Sequence, residues 1–162
     1  MLEYLVRSMK KTRIYVDTSV IGGCFDPEFE KWSNGLFRDF HVGTFLPVIS
    51  DVVDAELEDA PSDVRDKYAE LLALEPEFVH LTQEASDLAD CYLEDKIISE
   101  NYVDDALHIA IATVSLVDIL VSWNFRHIVH YGKIRQFNAV NLRCGYNLIQ
   151  IYSPREVTSY GD

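Results

Sequence analysis

Three short stretches of this 162-residue chain carry carboxylates that a bound cation could gather. RIYVDTSVIGG (13–23) delivers Asp17 from an apolar run into hydroxyls and glycines. VVDAELED (52–59) sets Glu56 beside an apolar stripe, and NYVDDALHIAIATV (101–114) opens on Asp104 and Asp105. Acids from three separate elements converge only if something offsets their repulsion, and a divalent cation does so. An all-carboxylate set suits Mg²⁺, which takes oxygen ligands and keeps several waters; zinc needs His or Cys at spacings that the five histidines do not form. Each acid also has an ordinary explanation: Asp17 could cap a helix starting near Val20, and a carboxylate in a first helical turn is favoured by the helix dipole whatever its role.

Other residues stand close enough in sequence to assist. Ser19 could hydrogen-bond a carboxylate or a water ligand. Asn124, in SWNFRH, could accept a metal-bound water without adding charge, or simply make a turn. His108 follows Asp104 by four residues and Asp105 by three, and reads as a structural histidine paired with an aspartate on its own helix. The stripe Val103, Ala106, Leu107, Ala110, Ile111, Val114 puts Asp104 nearer the buried face than Asp105.

The elements that must position these groups alternate between strand and helix. Ile14-Tyr15-Val16 suits a strand buried in a parallel sheet, with Asp17 at its carboxyl end, where ligands bind in open α/β sheets. Apolar spacing predicts a helix over Glu28–His41, ended by Gly43, then a strand over Thr44–Ile49 weakened by Pro47. Ser50-Asp51 caps the helix carrying VVDAELED, Pro61 closes it, and Ser62-Asp63 opens another to about Leu74. A strand near Phe78–Leu81, helices over Thr82–Ile98 and Tyr102–Val117, a strand over Ile119–Ser122, a helix over His130–Arg143 and a strand over Leu148–Tyr152 complete the series. The expected fold class is α/β, a mostly parallel sheet with helices on both faces.

Length and a hydrophobic fraction of 48% fit a single domain over 1–162. Residues 1–11 could be an N-terminal appendage, with Met9 an alternative start, or could pack through Leu2, Leu5 and Val6. No apolar stretch approaches the roughly 20 residues that cross a bilayer, and no secretory leader is recognisable, so a soluble cytoplasmic protein is expected. Cys24, Cys91 and Cys144 have no metal-like spacing and are expected to be reduced, small core residues. The net charge of −13 argues against a general nucleic-acid binder. Yet from Ile119 to Arg155 there is no Asp or Glu, while Arg126, Lys133, Arg135, Arg143 and Arg155 all fall inside, so one segment could accept an anion.

DTSVI after a strand, an AEL helix, DALHIAIA and then LVSWNFRHI, in that order, resemble the PIN-domain nucleases, including the VapC-type toxins of bacterial toxin–antitoxin systems. The resemblance covers about Arg13 to Pro154. It implies a PIN-like α/β fold and Mg²⁺- or Mn²⁺-dependent cleavage of RNA phosphodiesters, with the family's acids falling on Asp17, Glu56 and Asp105. Asp104, His108 and Ser19 would support them, Asn124 would contribute through water, and Arg126, His127 and Lys133 would guide the RNA backbone. An antitoxin protein and a second copy of the chain are the partners implied. Many family members carry a further aspartate where this chain reads Asn124-Phe125-Arg126-His127, which puts a second metal site in doubt. The alternative is a catalytically weakened PIN-like module acting through protein or RNA binding. A haloacid-dehalogenase-like phosphatase would need a second aspartate two residues after Asp17, and a Rossmann domain a GxGxxG that Gly22-Gly23 does not supply.

Overall fold

The computed structural model describes residues 10–161. The expectations for Met1–Met9 fall outside the described residues. β1 (Thr12–Val16) leads through α1 (Thr18–Gly22) and a 3-10 turn (Gly23–Phe25) to α2 (Glu30–His41). β2 (Phe45–Ser50), α3 (Asp51–Glu56), α4 (Ser62–Ala73) and β3 (Glu77–Val79) follow. Then come α5 (Gln83–Glu94), a 3-10 turn (Glu100–Tyr102), α6 (Val103–Val114), β4 (Ile119–Val121), α7 (Tyr131–Arg143), β5 (Ile151–Tyr152) and α8 (Pro154–Val157).

The five strands form one sheet in the order β3-β2-β1-β4-β5, and every pairing is parallel. β1 lies at the centre, with Ile14 opposite both Pro47 and Ile119 and Val16 opposite Val121. β3 begins opposite Val48, so Pro47 sits where β2 has no neighbour on its β3 side and its missing N–H breaks no ladder there. Connections between parallel strands are right-handed. The steps β1 to β2 to β3 run one way across the sheet and put α1, α2 and α4 on one face. The steps β3 to β4 to β5 run the other way and put α5, α6 and α7 on the opposite face. The contacts agree: α1 meets α4, while α5 packs along α6 and touches α7. The direction reverses between β1 and β4, which makes the carboxyl ends of those strands the topological switch point.

The residue patterns account for most of this. β1 and β4 bury Ile14, Tyr15, Val16, Leu120 and Val121 in one continuous core with Val48, Ile49, Ile109, Ile111 and Phe137. Ser50 and Thr82 cap α3 and α5 by accepting the Val53 and Ala85 N–H groups. α5 and α6 stop short of their predicted ends because Lys96 and Leu116 turn left-handed just beyond them. α6 buries Ala106 and His108 to Thr113, so it is a core helix covered on nearly all sides, rather than one with a single stripe. Gly23 packs against Trp123, whose Nε1 donates to Ser33 Oγ at 2.8 Å; a Cβ on Gly23 would lie 2.6 Å from both of those atoms.

One expectation is corrected: of the cysteines only Cys24 is buried, Cys91 being half-buried and Cys144 exposed. Beyond β5, buried Asp39 on α2 accepts from Thr158 Oγ1 at 2.8 Å and from the Ser159 N–H at 3.0 Å, holding the segment after α8. No helix among the described residues is long and apolar enough to cross a membrane.

Candidate active site at the switch point

Asp17 continues β1 past its last residue, its N–H donating to Val121 O of β4 at 3.2 Å. It occupies the N-cap position of α1 yet makes no side-chain capping bond. Its carboxylate is turned into the crevice instead, only 5% exposed. Oδ2 accepts from Ser19 Oγ at 2.8 Å and Ser122 Oγ at 2.6 Å, and Oδ1 lies 3.4 Å from His108 Nε2. The capping explanation of Asp17 therefore does not describe its side chain.

Asp105, in the first turn of α6, is half-buried, whereas Asp104 is exposed. The helical-wheel expectation that Asp104 turns inward is thus corrected, and Asp104 lines a surface pocket with Asp51, Glu56 and Leu81. Asp105 Oδ2 accepts from Asn124 Nδ2 at 3.2 Å and pairs with His127 Nδ1 at 3.0 Å. Burial raises the Asp105 pKa and the nearby Asp17 charge raises it further, against the opposing pull of His127 and His108. The two aspartates are close enough to repel.

Glu56, exposed at the end of α3, reaches the crevice through a third group: its Oε1 is 2.5 Å from His108 Nε2. His108 is 1% exposed, and its Nδ1 meets the Tyr15 hydroxyl at 2.7 Å, which in turn meets Ser50 Oγ at 2.7 Å. Burial alone would lower the His108 pKa; Tyr15 and the Asp17 and Glu56 carboxylates outweigh it and raise it well above 6.5. The expectation that His108 pairs with an aspartate of its own helix is corrected. It is a buried imidazole placed between acids that come from β1 and α3.

Of the two roles weighed for Asn124, the structure shows the turn and adds a contact to Asp105. Asn124 Oδ1 accepts the His127 N–H at 2.9 Å, forming a turn, while its amide donates to Asp105. The predicted RNA-guiding residues separate. His127 is buried, its Nδ1 paired with Asp105. Lys133 is half-buried, its Nζ donating to Ile97 O at 2.6 Å. Arg126 is exposed, its guanidinium 5.6 Å from the centre of the Tyr102 ring.

Ser122 and Tyr15 are the contributors that sequence reasoning passes over. Ser122 Oγ donates to Asp17 and accepts the Asn124 N–H at 2.9 Å, linking the two strand ends. Among the described residues, no group of three or more His, Cys, Asp or Glu side chains is disposed to hold a metal ion. The expected three-acid centre is therefore not assembled as such. Asp17 and Asp105 adjoin, and Glu56 is held to them by His108.

No protein-family model matches the chain, and a search of curated proteins finds no match. Among solved structures, the crystal structure of VapBC2 from Rickettsia felis bound to a DNA fragment from their promoter contains a chain of similar shape. The match covers 88% of this chain and 98% of that one, with a TM-score of 0.58 and 14% identity. The fold is PIN-like. Within this PIN-like fold, the switch point between β1 and β4 is where Asp17, Ser122, Asn124 and, from α6, Asp105 meet.

Proposed function

We propose that the chain is a Mg²⁺- or Mn²⁺-dependent endoribonuclease that hydrolyses RNA phosphodiester bonds, and that it is the toxin of a type II toxin–antitoxin pair. The observation that carries this reading is the buried Asp17 carboxylate linked through Ser122 and Asn124 to Asp105 at the switch point, each acid aimed by hydroxyl, amide or imidazole partners rather than spent on a helix cap. The fold likeness to a chain of a VapBC2 complex supports the assignment to a toxin and an antitoxin partner.

The donor set fits a hard cation. Mg²⁺ needs only one or two carboxylates and completes its shell with water, so Asp17 and Asp105 would be the residues to hold it. When bound, the ion lowers the pKa of a coordinated water and neutralises charge on the phosphate undergoing displacement. The chain's own residues do the positioning. Ser19 and Ser122 fix one oxygen of Asp17 and leave Oδ1 toward the crevice, and Asn124 and His127 fix Oδ2 of Asp105. His108 Nε2 lies between Glu56 and Asp17 and keeps them together before any ion arrives. Exposed Arg126 is the cation nearest in sequence to these groups and guides the flanking backbone.

One observation favours the alternative, a PIN-like module that binds without cutting: His108 stands where a third acid would have to approach Asp17. A single experiment separates them. The full chain is incubated with single-stranded and structured RNAs in Mg²⁺, in Mn²⁺ and in EDTA, beside Asp17→Asn. Cleavage in either metal, lost in EDTA and in the variant, is expected. Cleavage that persists in EDTA, or its absence across the substrate set, overturns the nuclease reading.

A further inference from the structure

The backbone that brings Ser122 and Asn124 to the candidate site carries two aromatic residues between and beyond them, Trp123 and Phe125. The Trp123 N–H donates to Ser19 Oγ at 2.9 Å, and Ser19 in turn donates to Asp17. The Trp123 indole is fixed by its bond to Ser33 and by Phe29, whose ring stacks on it with centres 4.2 Å apart and planes 16° from parallel. Phe125 meets Trp123 edge-on at 6.1 Å and is 49% exposed, and half-buried Trp32 lies 6.2 Å from Trp123. These four rings line a cavity of about 560 Å³, within the range of small-ligand sites, and no Leu, Ile or Val side chain lines it. Ser153, also in its wall, directly follows β5, so the cavity lies at the carboxyl ends of β4 and β5, the end of the parallel sheet at which Asp17 stands. Exposed Glu28 lines it too, as does Arg155, whose guanidinium stands 5.0 Å over the Trp32 ring, and Glu156, which accepts the Ser153 N–H at 2.8 Å. Two carboxylates against one guanidinium disfavour a phosphate inside, whereas a flat neutral ring finds aromatic faces to stack on.

Taking RNA as the substrate, as proposed above, we propose that this aromatic cavity takes one unpaired nucleobase of the strand that crosses the switch point, stacked against Phe125. Stacking on aromatic side chains accepts any base and is the usual way in which proteins hold single-stranded RNA. A duplex keeps its bases paired and stacked, so it supplies none without opening, and the chain selects single-stranded or looped RNA. Phe125 directly follows Asn124, whose amide donates to Asp105, so a base held there fixes which stretch of the strand's backbone meets the two aspartates. Arg155 leaves the cavity with one cation over Trp32, placed to meet the phosphate that accompanies the stacked base.

Trp32 and Trp123 are the two tryptophans of the chain and both line the cavity, so intrinsic fluorescence reads it directly. The full chain is titrated in EDTA, where no metal-dependent cleavage intervenes, with an oligoadenylate about eight nucleotides long, an abasic ribose–phosphate oligomer of the same length, the oligoadenylate paired in a duplex, and adenosine monophosphate. The single-stranded oligoadenylate should quench saturably and bind at least about fivefold more tightly than the other three. Phe125→Ala should weaken its binding by roughly 5- to 100-fold, the loss of one base stack, and Phe125→Tyr should stay within about twofold of wild type. Equal quenching by the abasic oligomer, equal affinity for adenosine monophosphate or for the duplex, or a Phe125→Ala affinity within about twofold of wild type overturns the proposal. So does the absence of quenching with every RNA, which would leave the cavity to a peptide. The comparison of ligands uses wild type alone, so a poorly folded variant does not obscure it. Base-dependent quenching by a chain that cuts no RNA would refute the nuclease reading and keep the cavity's assignment; cleavage without base-dependent quenching would do the reverse.

Discussion

Replacing His108 tests whether the site is held together by a buried cation. The imidazole is enclosed, with Nε2 facing Glu56 and Asp17 and Nδ1 facing Tyr15. His108→Ala removes all three contacts, opens a cavity and leaves Asp17 beside Asp105 with one positive neighbour fewer. Breaking a buried pair by deleting one partner costs about 3–5 kcal/mol. At roughly 2–4 °C per kcal/mol for a chain of this size, the melting temperature should fall by about 6–20 °C in EDTA. His108→Phe separates charge from packing, because it fills most of the space but donates nothing. If His108 acts through charge, the Phe variant should stay destabilised by at least about 2 kcal/mol in urea titrations. A Phe variant within about 1 kcal/mol of wild type would mean that the residue is packing alone, and the bridge between Asp17 and Glu56 would be refuted.

Asp17→Asn should abolish any stabilisation by Mg²⁺, whereas wild type should gain about 2.7 kcal/mol at a free concentration one hundred times the dissociation constant; melts with and without metal decide it. Arg126→Ala should flatten the salt dependence of RNA binding by about one unit of slope, and Lys133→Ala by less, because its ammonium is already bonded to Ile97. Equal effects of the two changes would place the RNA elsewhere. Gly23→Ala forces a methyl against Ser33 and Trp123 and should cost about 1–3 kcal/mol, with altered Trp fluorescence in the folded state. Asp39→Ala should release the C-terminal segment, seen as faster carboxypeptidase trimming than in wild type.

Much of this architecture is legible from local pattern. An apolar run on both faces marks a central strand, and the first polar residue after it falls at the strand's carboxyl end, which is why Asp17 stands out; after β4 that residue is Ser122, passed over for Asn124 two places on. The site's interior is less legible because its contacts cross elements. Tyr15 reads as one more apolar strand residue, and nothing local shows that its hydroxyl ends against His108. Reading His108 by the i,i+4 rule assumes a helix with a wet face, but HIAIAT belongs to a helix buried nearly all round, so its partners come from β1 and α3. The same burial explains the aspartate phase: with apolar residues on most sides, the wheel has no clear stripe from which to choose between Asp104 and Asp105. His127 likewise looks like a surface cation in SWNFRH until the Asn124 turn folds it back onto Asp105.

The central position of β1 has a consequence for how the protein is made. Asp17 directly follows β1, but Ser122 lies 105 residues later in the chain. At about 5–20 residues per second, translation needs roughly 5–20 s to travel between them. Throughout that interval the nascent polypeptide lacks β4, the Asn124 turn and the neighbours that orient Asp17. A ribosome can therefore carry most of these residues without carrying the site, and any molecule that engages the site meets it only once β4 and the Asn124 turn have emerged.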